Sequence, residues 1–254
     1  MVFIDFHCHL DFEHFDSDRT KVVEEMKKKN IIAVSNTTSF ENYKYTKNLF
    51  KNVKNVLVTP GLYPQKAEKM SDSDFEKYLI YLRKNSDDFI GIGEIGLDKH
   101  HTDDEALFEI QVIRFKALIE LGIELDKVLI IHTRKAEQEV LDILREYIVK
   151  TGFRKFNLHC FMGKRKFIKD IKELNLYCSI PLVLLNTQSF RILVEELPIR
   201  QLLVETDSPF LNPSKERNSP LNVPIIYEEI AKIKGFDKKE IENIIYRNYM
   251  KIIM

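Results

Sequence analysis

Tryptophan is absent from this 254-residue sequence, glycine and proline occur eight times each, and there are three cysteines. An odd number of cysteines with no CxxC pair does not specify a disulfide framework, and a reducing compartment is expected. No GxGxxG follows the first apolar run and no GxxxxGK[ST] occurs anywhere, which argues against nucleotide-binding loops of those two kinds. An excess of one charge is also missing, because 39 Lys+Arg balance 39 Asp+Glu. Neutrality removes the overall basic footprint of a nonspecific nucleic-acid binder or a polybasic membrane binder, while leaving room for a local basic groove. No run approaches the roughly 18 apolar residues of a spanning helix, and the opening residues have no basic leader before a long apolar stretch. Neither a membrane span nor a signal peptide is expected, and a cytoplasmic protein is.

What the sequence does contain is alternation. Short β-type apolar runs occupy residues 2–6, 31–35, 56–60, 89–94, 128–132, 156–159, 176–180 and 202–206. Between them lie stretches of helical period. Leu107, Ile110, Ile113, Ala117 and Leu121 form one stripe, Val140, Leu141, Leu144 and Ile148 a second, and Phe167, Ile168, Ile171 and Leu174 a third. Ser71 to Asp74, ahead of Phe75, reads as a capped helix start. With no linker or low-complexity tract, eight strand–helix units in this length predict an α/β fold, a TIM-like (β/α)8 barrel forming one domain over residues 1–254.

A barrel of this kind places chemistry at the C-terminal ends of its strands. Strand 1 ends in His7, Cys8 and His9, strand 4 in Glu94, strand 5 in His132, strand 6 in His159, and strand 8 is followed by Asp207. In an extended segment residues i and i+2 face the same side, so His7 and His9 can reach one ion. A carboxylate closing a buried strand, as Glu94 does, is costly unless paired or metal-bound. Each histidine alone fits an ordinary core or loop residue. Six N/O donors converging on one barrel mouth exceed what a single tetrahedral zinc needs, and suit two divalent ions sharing a bridging carboxylate. Cys8, Cys160 and Cys178 are expected as buried structural thiols, and Glu205 as a structural residue facing solvent or a helix. Asp5 is placed to orient a ligand imidazole. Asp98 is expected behind the donors or capping a loop, and His100 and His101 exposed.

The strings Ile4–Leu10, Gly93–Asp98, Ile131–Ala136, Leu158–Gly163 and Glu205–Leu211, closed by Arg217, Asn218, Ser219 and Pro220, resemble the TatD family of metal-dependent hydrolases, in order and over nearly the whole chain. The resemblance implies a TIM-like barrel of the amidohydrolase superfamily with deoxyribonuclease activity. It implies that His7, His9 and Asp207 hold one ion, His132 and His159 a second, and that Glu94 bridges them. One loop departs from the family. Where Gly-x-His-Pro-His is usual, this chain has Gly61, Leu62, Tyr63, Pro64 and Gln65.

The chemistry expected is hydrolysis of a phosphodiester by metal-activated water, with Asp207 and Glu94 as catalytic residues. Tyr63, Arg134, Lys164, Arg165 and Arg217 are candidate substrate contacts, and Lys135, Lys166 and Lys215 share their surroundings. Two divalent ions per chain, Zn, Mn, Co, Ni or Mg, suit the His/carboxylate set. DNA or a smaller phosphodiester is the expected partner, with no membrane, no obligate protein partner, and a monomer or weak oligomer. The alternatives are a C–N or C–O hydrolase (amidase, deaminase or lactonase) and a scaffold that binds metal without turnover.

Overall fold

The computed structural model describes residues 2–254. Its elements alternate as the patterning predicts: β1 (Phe3–Cys8), α1 (Arg19–Lys28), β2 (Ile31–Asn36), α2 (Phe40–Leu49), β3 (Val56–Thr59), α3 (Pro64–Ala67), α4 (Asp72–Lys84), β4 (Gly91–Asp98) and α5 (Glu105–Glu124). The chain continues through β5 (Val128–Arg134), α6 (Glu137–Thr151), β6 (Phe156–His159), α7 (Ile168–Glu173), β7 (Tyr177–Ile180), α8 (Gln188–Glu196), β8 (Leu202–Val204), α9 (Val223–Lys234) and α10 (Lys238–Ile253). All three apolar stripes fall in or across helices, and Ser71 caps α4 by accepting a hydrogen bond from Asp74 N at 3.1 Å.

The strands are parallel and run in sequence order, β1 to β3 in one set and β4 to β8 in the other. Two seams join the sets into the TIM-like barrel. Between β3 and β4, Gly93 N donates to Pro60 O at 2.8 Å and Leu62 N to Glu94 O at 2.9 Å, while Thr59 Oγ1 donates to Gly93 O. Between β8 and β1, Asp207 N donates to His7 O at 2.9 Å and His9 N to Ser208 O at 2.7 Å. A side chain reinforces the second seam: Asp5 accepts from both the amide and the hydroxyl of Thr206, at 2.8 and 2.6 Å. Asp5 therefore serves barrel closure, not the imidazole expected of it. A buried cluster including Ile4, Phe6, Val34, Val128, Ile130 and Leu203 draws on strands of both sets and is met by Tyr249 and Ile252 of α10. Truncating Ile130 to alanine there costs about 2–5 kcal/mol.

β4 is longer than its apolar run suggests, continuing four residues past Glu94. Glycine explains the extension. A Cβ at Gly96 would lie 2.0 Å from His132 O, so only glycine lets β4 lie this close to β5. A Cβ at Gly61 would meet Thr37 O at 1.8 Å and Glu94 N at 2.4 Å, so the loop after β3 packs directly on the Glu94 backbone. The spacing Gly91, Gly93, Gly96 is formally GxGxxG, yet it lies inside a buried strand and not in a strand-to-helix turn. Glu94 thus sits within its strand, while Asp207 lies three residues beyond the short β8.

Candidate metal centre

His7, His9, Glu94, His132, His159 and Asp207 converge at the C-terminal end of the barrel. His7 Nε2 and His9 Nε2 are 3.2 Å apart, and each lies 3.5 Å from Asp207 Oδ1 and 3.8 Å from Glu94 Oε2. The other Glu94 oxygen meets a second group: Oε1 is 2.8 Å from His132 Nδ1 and 3.0 Å from His159 Nε2, those two nitrogens are 3.3 Å apart, and the His159 ring stacks on His7 at 3.9 Å. Donors bound at about 2.1 Å to a tetrahedral ion stand roughly 3.4 Å from one another. Both groups are built to about that spacing. Two imidazole nitrogens facing each other at 3.2 Å, both in buried residues, can share at most one proton, and a cation resolves that conflict. The residues therefore fit divalent metal.

Behind the donors the two groups differ. His9 Nδ1 meets the backbone carbonyl of Asn36 at 2.8 Å, and His7 Nδ1 is buried without a partner. His132 Nε2 lies 3.2 Å from Asp98 Oδ2, and His159 Nδ1, also without a hydrogen bond, faces the Glu205 carboxylate at 3.6 Å. Asp98 also accepts from the amides of His100 and His101 and pairs with the His101 ring, so it both caps its loop and backs His132. Glu205 is a correction to the sequence reading. It is fully buried, accepts from Cys160 N and Ser179 Oγ, and faces His159, because β8 stops at Val204 and alternation no longer applies one residue later. Cys8 and Cys178 are buried as expected, whereas Cys160 is half-buried.

Charge follows these neighbours. Burial raises the Glu94 carboxyl, but His159 and His132 more than offset this and hold it well below the usual carboxylate range. Burial lowers His159, yet Glu94 and Glu205 lift it well above an ordinary histidine. His9 follows the same logic, burial being overcome by Asp207 and Glu94, and is pushed up to about 9. His7, buried and beside His159, is driven well below its ordinary value. Among the described residues, Glu94, Asp98, Glu205 and Asp207 pair with histidines and with no lysine or arginine.

A cavity of about 450 Å³ opens over the cluster, lined by His9, Glu94, His132, His159 and Asp207 together with Phe12, Thr38, Tyr63, Lys66, Arg134, Phe210 and Leu211. Tyr63 and Arg134 are thus among the residues that line the mouth. Lys66 and Phe12 lie in no motif, and Phe210, although inside the Glu205–Leu211 string, has no role assigned from sequence. Lys164 is exposed on the loop after β6, and Arg165 beside it pairs with Glu196. Arg217, expected as a phosphate contact, instead pairs through both nitrogens with Asp18, at 2.7 and 2.6 Å, and donates to His14 O. In the departing loop, Tyr63 Oη donates to Asp98 Oδ2 at 3.3 Å, and the buried Gln65 amide has no partner.

The family model described as TatD related DNase matches residues 4–254. The chain belongs to the TatD-related DNase family. It is a hydrolase of that family, with the six donors of the family motifs brought to one mouth. A metal-dependent hydrolase of Methanocaldococcus jannaschii is 32% identical over 250 residues, covering 98% of this chain and 96% of that protein. The human deoxyribonuclease TATDN3 is 29% identical over 266 residues, with 98% and 93% covered. Among solved structures, the TatD homologue YjjV of Escherichia coli matches with a TM-score of 0.87 at 24% identity, covering 98% and 97% of the two chains. A dihydroorotase of Campylobacter jejuni shares the fold more distantly, at a TM-score of 0.59 and 14% identity over 99% and 82%.

Proposed function

We propose that this chain is a two-metal phosphodiesterase acting on DNA, a deoxyribonuclease of the TatD type. The observation that carries the reading is the orientation of Glu94, whose two oxygens face the two donor groups separately. His7, His9, Asp207 and Glu94 would hold one ion, and His132, His159 and Glu94 would hold the other. Two dications would also offset the four carboxylates Glu94, Asp98, Glu205 and Asp207, none of which pairs with a lysine or arginine among the described residues. Divalent ions bound there supply Lewis acidity toward phosphoryl oxygens and make water acidic enough to attack near neutral pH.

The protein's own groups do the rest. Asp207, which lines the cavity, orients the attacking water and accepts its proton. Arg134 binds a nonbridging phosphate oxygen, with Lys66 on the same cavity. Tyr63, whose phenol is kept protonated by burial and by the nearby Glu94 and Asp98, orients Asp98 and through it His132. Lys164 and Arg165 contribute at most long-range attraction. The reading includes a monomer or weak oligomer in the cytoplasm with no obligate protein partner; no helix among the described residues is long and apolar enough to cross a membrane.

The test is hydrolysis by metal-loaded protein of single-stranded DNA, duplex DNA, RNA and small phosphodiesters, beside Glu94→Ala and Asp207→Ala. Cleavage of DNA by the wild type and its loss in both variants is expected. Turnover of amides or lactones without any phosphodiester cleavage overturns the reading.

A further inference from the structure

We propose that Phe12 and Phe210 form a stacking subsite for an unpaired nucleobase beside the donor cluster, next to the phosphate that is cut. The inference rests on the phosphodiesterase reading and names what that cavity holds in addition to the phosphate. A single exposed aromatic is unremarkable on a protein surface. Here the rings form a series that begins on a donor. Phe12 stacks on the His9 imidazole, centroids 4.7 Å apart and planes 20° from parallel. Phe210 stands edge-on to Phe12 at 5.9 Å, lies 6.3 Å from His9 and 5.8 Å from His14, and is 45% exposed. Both phenylalanines line the same cavity as Arg134 and Lys66. One cavity thus carries cations for a phosphate and apolar rings for a flat partner, the two halves of a nucleotide.

The rings are held in place by residues that otherwise have no task. Arg217 reaches across from the loop after β8 to Asp18 and to His14 O, joining the loop that carries Phe12 and His14 to the loop that carries Phe210, and its guanidinium lies 4.7 Å from the Phe15 ring. Asn218 donates through Nδ2 to Thr206 O and through its amide to Pro209 O, fixing the turn on which Phe210 sits. Phe210 N in turn donates to Asp207 O. A rigid ring beside a donor is suited to stacking, which loses less entropy when the platform is prebuilt. A base within a duplex has both faces occupied by its neighbours, so the ligand is a base free of its stack, at a frayed end or in a single strand.

The probe is a phosphorothioate-linked single strand carrying 2-aminopurine at one end or the other, titrated with zinc-loaded protein. Wild type is expected to quench the fluorophore. Phe210→Leu, which keeps an apolar side chain but removes the ring, is expected to lose most of the quenching and to bind about tenfold more weakly, and Phe210→Tyr to restore both. In cleavage assays the wild-type preference for a base over an abasic site beside the cut is expected to be about tenfold and to shrink toward unity in Phe210→Leu. Quenching and affinity unchanged in Phe210→Leu overturn the subsite. Cleavage of DNA with no preference for a base also overturns it and leaves the nuclease reading standing. Quenching that depends on Phe210 without any cleavage supports the subsite and instead overturns the nuclease reading.

Discussion

His7 and His9 leave one short stretch of β1 together, whereas His132 and His159 come from the neighbouring strands β5 and β6. The first pair meets Asp207 only where the barrel closes, across a gap of about 200 residues in sequence, and is backed by a neutral carbonyl or by nothing. The second pair sits within a continuous run of paired strands and faces buried carboxylates, Asp98 at hydrogen-bond distance from His132 and Glu205 at 3.6 Å from His159. One half of the cluster therefore depends on how the chain closes, the other on charge placed behind its donors. A carboxylate behind an imidazole fixes its tautomer and raises its basicity toward a metal. The β1/β8 half lacks that device and depends on the rigidity of its seam.

Separating the halves gives the largest expected effects. His7→Ala and His132→Ala should each lower phosphodiester cleavage at least about a hundredfold, each with loss of one ion and retention of the other. Elemental analysis checks this, and loss of both ions from His132→Ala would show that the halves do not bind independently. Next come the supports. Asp98→Asn and Glu205→Gln should weaken metal binding by about 10–100-fold in a chelator competition, since each removes charge from behind one ligand. Unchanged affinity in both variants would remove the distinction between the halves.

The seam gives a smaller, pH-dependent effect. Burial pushes the Asp5 carboxyl up to about 8, from an ordinary value of 3.8. The folded protein holds that proton more tightly than the unfolded chain, so the contribution is complete below about pH 4 and fades as pH rises toward 8. Urea midpoints across this range should therefore fall more steeply with pH in wild type than in Asp5→Asn, which keeps an acceptor for Thr206 and cannot ionise. Equal slopes would refute it. Smallest of all, Arg165→Ala, an exposed residue paired with Glu196, should change cleavage by no more than about twofold. A larger loss would restore it as a substrate contact.

Much of this was legible in the residues. Eight apolar runs separated by helical stripes specify the barrel, and donors at strand ends mark its mouth, because period and position both survive in sequence. The roles of the supporting groups were harder to see. Asp5 precedes a histidine and by position reads as its support, yet its partner Thr206 lies 201 residues away across the closing seam. Glu205 follows an alternation that stops one residue too soon. Arg217 has the charge of a phosphate contact, but a guanidinium cannot show from sequence that Asp18 will satisfy it. Strand ends set by glycine contacts, as in β4, likewise depend on a neighbour's backbone.

Glu94 lies between the two donor groups, so its removal tests the proposed two-ion centre most directly. Metal content and DNA cleavage should be measured on the same preparations of wild type and Glu94→Ala. A bridging carboxylate requires close to two divalent ions per wild-type chain, loss of at least one in the variant, and cleavage reduced at least about a hundredfold. Two ions retained in Glu94→Ala, with cleavage undiminished, would contradict it.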